Sequence, residues 1–329
     1  MPPGMPVHPS PINSAPRVSV TIAAFNAHET LGRCLESLHA QTFRDFEVIL
    51  VDSSPGDETA RIASGFPEVR FERSASRLYP HEARNRAASL AQGTLLVSID
   101  ADVYPRPDWL MELVSEYDAS AQVVVGAIAC HGRRLRDLGM HFCKFAKFLP
   151  TGPVRVIDTG PTANLLVARA DFERVGGMRG EQYLADVALG RALEASGKEL
   201  RFAPRAVVDH HHTESIAAFL RERYVRGGMY GRLRTSWLTS RRSIALYLVV
   251  SILPIRLARI AVLTYRYCAA AGMTGSFLLT WPLALAGHAA SLAGESVAYA
   301  GALFRALARR PSTRNSGAAL ARTTRWGPQ

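Results

Sequence analysis

The stretch LLVSIDADVYPRPDWL, Leu95 to Leu110, decides how this chain is read. An apolar run ends in two aspartates one residue apart, Asp100 and Asp102, and a Pro-rich turn and an amphipathic segment follow. A short, nearly continuous apolar run reads as a strand covered on both faces. In an extended backbone, residues two apart point to the same side, so both carboxylates face one place. The plain account is a solvated turn, with Asp108 opening the next helix. The chemical account is a divalent-metal site: Mg2+ and Mn2+ take oxygen ligands, often one or two carboxylates plus substrate phosphates.

Outward from this stretch, strand and helix patterns alternate. RVSVTIAAFN (Arg17 to Asn26), FEVILVDSS (Phe46 to Ser54), VRFERS, TLLVSID and QVVVGAIAC read as strands. Between them HETLGRCLESLHAQT, GDETARIASGF, HEARNRAASLAQG and PDWLMELVSEYDA read as helices, with Gly93 as the stop of the third. This pattern predicts an α/β fold with a mostly parallel central sheet and helices on both faces. Ligands of such sheets bind beyond the carboxyl ends of the strands. Asn26, Asp52 and the Asp100/Asp102 pair all stand there. No Gly-x-Gly-x-x-Gly follows the first strand and there is no Walker-type loop, which argues against dinucleotide and P-loop sites. Further on, TANLLVARADFERVGGM reads as a strand, a helical turn and a Gly-Gly stop. YLADVALGRALEASG reads as a helix, and KELRFAPRAVVDHHH as a strand broken at Pro204.

The 329 residues, 48% hydrophobic and 20% charged, allow a sizeable core. Cys34, Cys130, Cys143 and Cys268 show no paired spacing, which reads as small core residues in a reducing compartment. Residues 1–16 are Pro-rich without an apolar centre, and are expected to be a disordered tail and not a signal peptide. Charge is uneven. From Phe219 onward there are 16 arginines, no lysine and two acids, while the remainder carries 23 basic and 26 acidic residues. The arginines alternate with long aliphatic runs, a mixture that fits an anionic membrane surface better than nucleic acid.

In order, VSVTIAAFNAHETLGRCLESLHAQTFRDFEVILVDSSPGDET, ARNRAASLAQGTLLVSIDADVYPRPDWL, TANLLVARADFERVGGM and LADVALGRAL resemble the family 2 glycosyltransferases over about Arg17 to Arg232. The resemblance implies the GT-A fold (Rossmann-like), a nucleotide-sugar donor and inversion at the anomeric carbon. It implies that Ala24, Phe25 and Asn26 line the nucleotide pocket and that Asp52 hydrogen-bonds the base, usually uracil. The family's Asp-Asp-Gly-Ser is here Asp52-Ser53-Ser54-Pro55. Arg84 and Asn85 match its Arg-Asn near the ribose and diphosphate, and Asn164, in TANLLVARADFERVGGM, is expected among the nucleotide-sugar-binding residues. Asp100 and Asp102 match its Asp-x-Asp, with Asp102 the direct ligand of Mg2+ or Mn2+. His210 aligns with a histidine near the metal. Asp186 matches the catalytic base, preceded by Ala185 where the family often has Glu. The plain account of Asp186 is a first-turn acid favoured by the helix dipole. FLRERYVRGGMYGRLR, with five arginines, resembles the family's Tyr-Arg-x-Gly stretch. It reads either as a solvated basic helix or as a lid with Gly227 and Gly228 as hinges, bringing Arg226 to the diphosphate.

The C-terminal third is apolar but interrupted by Pro254, Arg256 and Arg259, and later by His288 and Glu295. The expected division is therefore 17–215 catalytic, 216–242 basic lid, 243–304 membrane-associated helices and 305–329 basic disordered tail. The six arginines from Arg305 on favour the cytoplasmic face. The expected acceptor is a lipid-linked or cell-envelope glycan. Transfer to polyprenyl phosphate, or a non-catalytic sugar-nucleotide-binding scaffold, are the alternatives.

Overall fold

A computed structural model describes residues 15–180, 183–238 and 240–308. Its first half is the expected alternation: β1 (Val18–Ala24), α1 (Leu31–His39), β2 (Phe46–Asp52), α2 (Glu58–Ala63), β3 (Val69–Arg73), α3 (Pro80–Leu90) and β4 (Leu95–Asp100). Leu31, Cys34, Leu35 and Leu38 form the buried stripe of α1, the spacing a helix needs to cover a sheet. Gly93 does not end α3, which stops at Leu90. It sits where the chain passes β1 so closely that a Cβ would lie 2.7 Å from Ser19 N.

The chain continues as β5 (Val103–Pro105), α4 (Trp109–Ser120), β6 (Val123–Cys130), α5 (Leu135–Phe145), β7 (Arg155–Ile157), β8 (Asn164–Ala168), α6 (Arg169–Arg174), α7 (Ala185–Ala195) and β9 (Leu200–His210). Strand order is β3-β2-β1-β4-β8-β6-β9-β5, with β7 paired to β9. β1 pairs in parallel with both β2 and β4, so its end is the switch point where the flanking loops part. The sheet is more mixed than expected, because β8 runs antiparallel to both β4 and β6. The chain between β6 and β8 dips to pair β7 with the start of β9, but it returns to the carboxyl ends of the parallel strands, where Lys144, Thr159 and Thr162 line a cleft. β8 therefore starts at that end and runs back. Pro204 does not break β9: between Gly126↔Ala203 and Ala127↔Val207 the extra residues bulge out and pairing resumes, the usual place for proline inside a sheet.

Four helices complete the described residues: α8 (Ile216–Thr235), α9 (Arg241–Ile252), α10 (Pro254–Ala270) and α11 (Thr274–Ala308). They close a second core around Met140, Phe142, Phe219, Cys268 and Phe277. α11 lies along α8 at a distance only glycine permits. A Cβ on Gly227 would fall 1.9 Å from Ser291 O, and one on Gly294 2.0 Å from Tyr224 O. The expected Gly227-Gly228 hinge is thus a helix crossing, and α8 runs through it unbroken. Within this layer Glu295 is buried, accepting hydrogen bonds from Arg234, from both outer nitrogens of Arg256 and from Tyr299.

Among the described residues, α11 is the one helix long and apolar enough to cross a membrane. α9 and α10 pass that test only as a pair bent by 61°. α11 continues past Arg305, where the tail was expected to begin. The expected N-terminal tail, but for its last two residues, and the chain beyond Ala308 lie outside the described residues.

Candidate active site

A cleft of about 710 Å³ opens at the carboxyl ends of β1 and β4. It gathers Ala24, Phe25, Asn26, Arg84, Asp100, Asp102, Asp186, His210 and Arg226 from positions spread over 200 residues of chain. Asn26 holds a left-handed backbone (φ 53°). Its N–H donates to Ser54 Oγ at 2.8 Å, and that hydroxyl donates to Asp52 Oδ1 at 2.6 Å. Ser54 thus joins the ends of β1 and β2. Asp52 is fully buried behind the cleft wall, and its Oδ2 has no partner. The Arg77 guanidinium lies 4.3 Å over the Phe25 ring at the cleft mouth.

The Asp-x-Asp pair divides its labour. Arg84, buried, forms an ion pair with Asp100 Oδ1. Asp102 keeps Oδ1 buried without a partner, and its Oδ2 stands 3.7 Å from His210 Nε2. Burial, with Asp100 beside it, pushes the Asp102 carboxyl up to about 7. Burial, with His212 and Lys144 nearby, holds His210 well below its ordinary value, so it is a neutral imidazole whose Nδ1 also lacks a partner. Unpaired buried oxygens and a neutral imidazole are costly without a ligand. They are the donor set that a divalent cation accepts, and the residues present fit one.

Asp186 stands in the first turn of α7 and faces the cleft. Oδ1 accepts its neighbour's N–H, from Val187, and Oδ2 accepts from Arg226 at 3.2 Å. Burial opposes the charge of Arg226, but Asp186, Tyr230 and Glu222 more than offset it, and its pKa is raised. Arg226 therefore holds the carboxylate that was read as the base, and does not point freely at a ligand.

Two predicted binding residues have other work. Asn164 is fully buried: its Oδ1 accepts from the Trp109 indole (2.8 Å) and its Nδ2 donates to the carbonyls of Ala127 and Ala206 (2.9 Å each). Both amide hydrogens are used on the sheet, so none reaches the cleft. Asn85 exchanges hydrogen bonds with the Met178 backbone at 2.8 and 2.9 Å, pinning the loop after the left-handed Gly176 and Gly177. Both corrections have one cause: asparagine serves backbone and ligand alike, and a motif does not say which.

The sequence reading missed Lys144, Lys147, Glu222, Arg223 and Tyr230, which also line the cleft. Lys144 donates to Glu214 at 2.9 Å. A signal existed, since the chain has few lysines and two of them stand in one aromatic run, HFCKFAKF. Of the other histidines, His211 hydrogen-bonds Tyr104 and His212 turns away to His141.

The model of glycosyl transferase family 2 matches residues 19–160, and that of glycosyl transferase family group 2 matches residues 95–290, more than half of the chain. The chain belongs to the family 2 glycosyltransferases. Relatives include the succinoglycan biosynthesis protein ExoO of Rhizobium meliloti, 32% identical over 40% of this chain and 39% of its own length. A PGL/p-HBAD biosynthesis glycosyltransferase of Mycobacterium tuberculosis is 38% identical over 27% of this chain and 36% of its own. The chain thus matches about two fifths or less of these relatives' length. Two solved structures share the GT-A fold. The mannosyltransferase PcManGT from Pyrobaculum calidifontis, in complex with GDP-Man and Mn2+, is 20% identical (TM-score 0.52) over 84% of this chain and 88% of that one. S. aureus TarS with UDP-GlcNAc is 15% identical (TM-score 0.52) over 64% and 65%. The GT-A expectation is met in this glycosyltransferase.

Proposed function

We propose that this glycosyltransferase moves a sugar, with inversion, from a nucleotide-sugar to a lipid-linked or cell-envelope glycan at a membrane surface. The observation that carries the reading is one cleft holding unpaired buried atoms on Asp102 and His210 together with the cleft-facing carboxylate of Asp186. Asp102 and His210, with Asp100 behind them, would hold Mg2+ or Mn2+, which supplies positive charge to the departing diphosphate. Donor complexes of the fold neighbours, one with Mn2+, support a nucleotide-sugar and a divalent cation.

The reaction is a displacement at the anomeric carbon. The acceptor oxygen forms the new bond as the bond to the diphosphate oxygen breaks, and the acceptor proton passes to Asp186. Arg84 lines the cleft as a fixed cation, oriented before charge develops on the leaving group, and Arg226 orients Asp186. Ser54, buried with Asp52, positions the unpaired Oδ2 for an N–H of the base. An imide or lactam N–H suits that oxygen, and the donor proposed is a UDP-sugar.

The helical layer supplies the membrane surface. Leu246, Val249, Ile252, Ile255, Leu278 and Leu279 are exposed on α9 to α11 beside the arginines. Apolar side chains with interspersed arginines bind an anionic interface. The arginine-rich end favours the cytoplasmic face. A second groove of about 290 Å³ between α10 and α11, lined by Val262, Tyr265, Phe277 and Trp281, is almost wholly apolar. It favours an acceptor with a lipid tail, and so keeps the polyprenyl-phosphate acceptor as the second reading; a sugar–phosphate product would select it. The test of the first reading is release of nucleoside diphosphate from a panel of UDP-, GDP- and dTDP-sugars, with Mn2+ or with EDTA. EDTA-sensitive release from one donor is expected, and no release or binding from any would remove the proposal.

A further inference from the structure

Outside the cleft, three side chains from three elements converge. They are Cys130 at the end of β6, His141 in the middle of α5 and His212 just after β9. One ligand atom from each lies within 4.8 Å of the other two. His141 and His212 are buried, and Cys130 is half-buried.

The outward ring nitrogens define the inward ones. His141 Nε2 is 3.2 Å from the Ile128 carbonyl, which only accepts, so this nitrogen carries the hydrogen and Nδ1 presents its lone pair. His212 Nδ1 is buried with no hydrogen-bond partner, and the atom facing it is a Glu214 carboxylate oxygen 3.5 Å away, which only accepts. That leaves His212 Nε2 as a second lone pair. The two inward nitrogens, His141 Nδ1 and His212 Nε2, stand 3.2 Å apart. Two lone pairs facing each other in a buried site repel unless a cation sits between them. A tetrahedral zinc with nitrogens at 2.0–2.1 Å sets them about 3.3 Å apart. The outer nitrogen of His141 on a backbone carbonyl, with a carboxylate facing that of His212, is the kind of support that zinc-bound histidines have. A shared proton would satisfy the two histidines but gives Cys130 no part.

We propose that Cys130, His141 and His212 hold a structural zinc ion, with a fourth position for water or for Asp137, buried one helical turn before His141. The Cys130 thiol proton leaves to solvent on binding. Sulfur and nitrogen donors suit zinc, whereas the oxygen-rich pair in the cleft suits Mg2+ or Mn2+, so the two sites select different ions. The zinc would tie β6, α5 and the segment after β9 together. It would also fix His210, two residues before His212.

The test is elemental analysis of the full chain, purified without a polyhistidine tag and washed with EDTA, followed by replacement with Co2+. One zinc per chain is expected, as is a thiolate-to-cobalt charge-transfer band on replacement. Cys130→Ser should abolish that band. Glu214→Gln should weaken zinc about 10- to 100-fold. Asp102→Asn, in the cleft, should keep both zinc and band. If Cys130→Ser does not fold, the wild-type cobalt spectrum decides alone. Wild-type protein with neither zinc nor a thiolate–cobalt band, or a band that survives Cys130→Ser, would overturn the proposal.

Discussion

Two regions of this glycosyltransferase bury carboxylates among arginines, and they do it differently. In the helical layer, Glu295 is saturated: Arg234, Arg256 and Tyr299 together occupy both of its oxygens. In the cleft, Asp102 Oδ1, His210 Nδ1 and Arg84 Nε are buried without partners, as is Asp52 Oδ2 behind its wall. A saturated network holds helices together, while an incomplete one costs free energy until something completes it. The cleft is therefore read as a binding site and the Glu295 cluster as a joint. Variants at the two places should separate along that line.

The largest effect is expected at the incomplete end. Asp102→Asn should lower kcat/KM by about 10³-fold, the scale of losing a principal charge-stabilising group, with a melting temperature at or above wild type because a costly buried charge is gone. Asp186→Asn should cost about 10²- to 10⁴-fold in kcat while donor binding persists, as titration calorimetry would show. A variant with full turnover would end the assignment of Asp186. At the saturated end, Glu295→Ala leaves Arg234 and Arg256 without their carboxylate and should cost roughly 3 kcal/mol of stability. Donor affinity of the remaining folded protein should not change.

Gly227→Ala sharpens the contrast because it sits between the regions. Its Cβ would meet the Ser291 carbonyl, which should cost about 1–3 kcal/mol as overpacking. By displacing α8 it should also move Arg226 from Asp186, so kcat falls while KM for donor holds. The smallest effect is Asn164→Ala. It strands Trp109 and two carbonyls and should cost roughly 1–2 kcal/mol with KM unchanged; a raised KM for donor would return Asn164 to the binding site.

How much was legible follows from what each residue's pattern encodes. β1 to β4 carry two-sided burial as apolar runs, and their polar ends mark the switch point, so the strand-end positions of Asn26, Asp52, Asp100 and Asp102 were legible in the sequence. Asn85 and Asn164 were misplaced because their hydrogen-bond partners are backbone atoms distant in sequence. Pro204 was read as a break because a bulge depends on the neighbouring strand, β6. Gly227 was left between a solvated helix and a hinge because close packing needs α11, some 65 residues on, to be seen. Lys144 fell outside every motif, although lysine is rare in the chain. Local patterns showed the sheet, whereas the helical layer needed the pairing of distant helices.

The most direct measurement is calorimetric titration of UDP-, GDP- and dTDP-sugars into wild type and Asp102→Asn, each with Mn2+ and with EDTA. One donor, expected to be a UDP-sugar, should bind wild type only with the cation and should not bind Asp102→Asn under either condition. Binding that ignores both EDTA and the substitution, or no donor binding at all, would contradict the claim that the unpaired atoms of the cleft await a metal and a nucleotide-sugar.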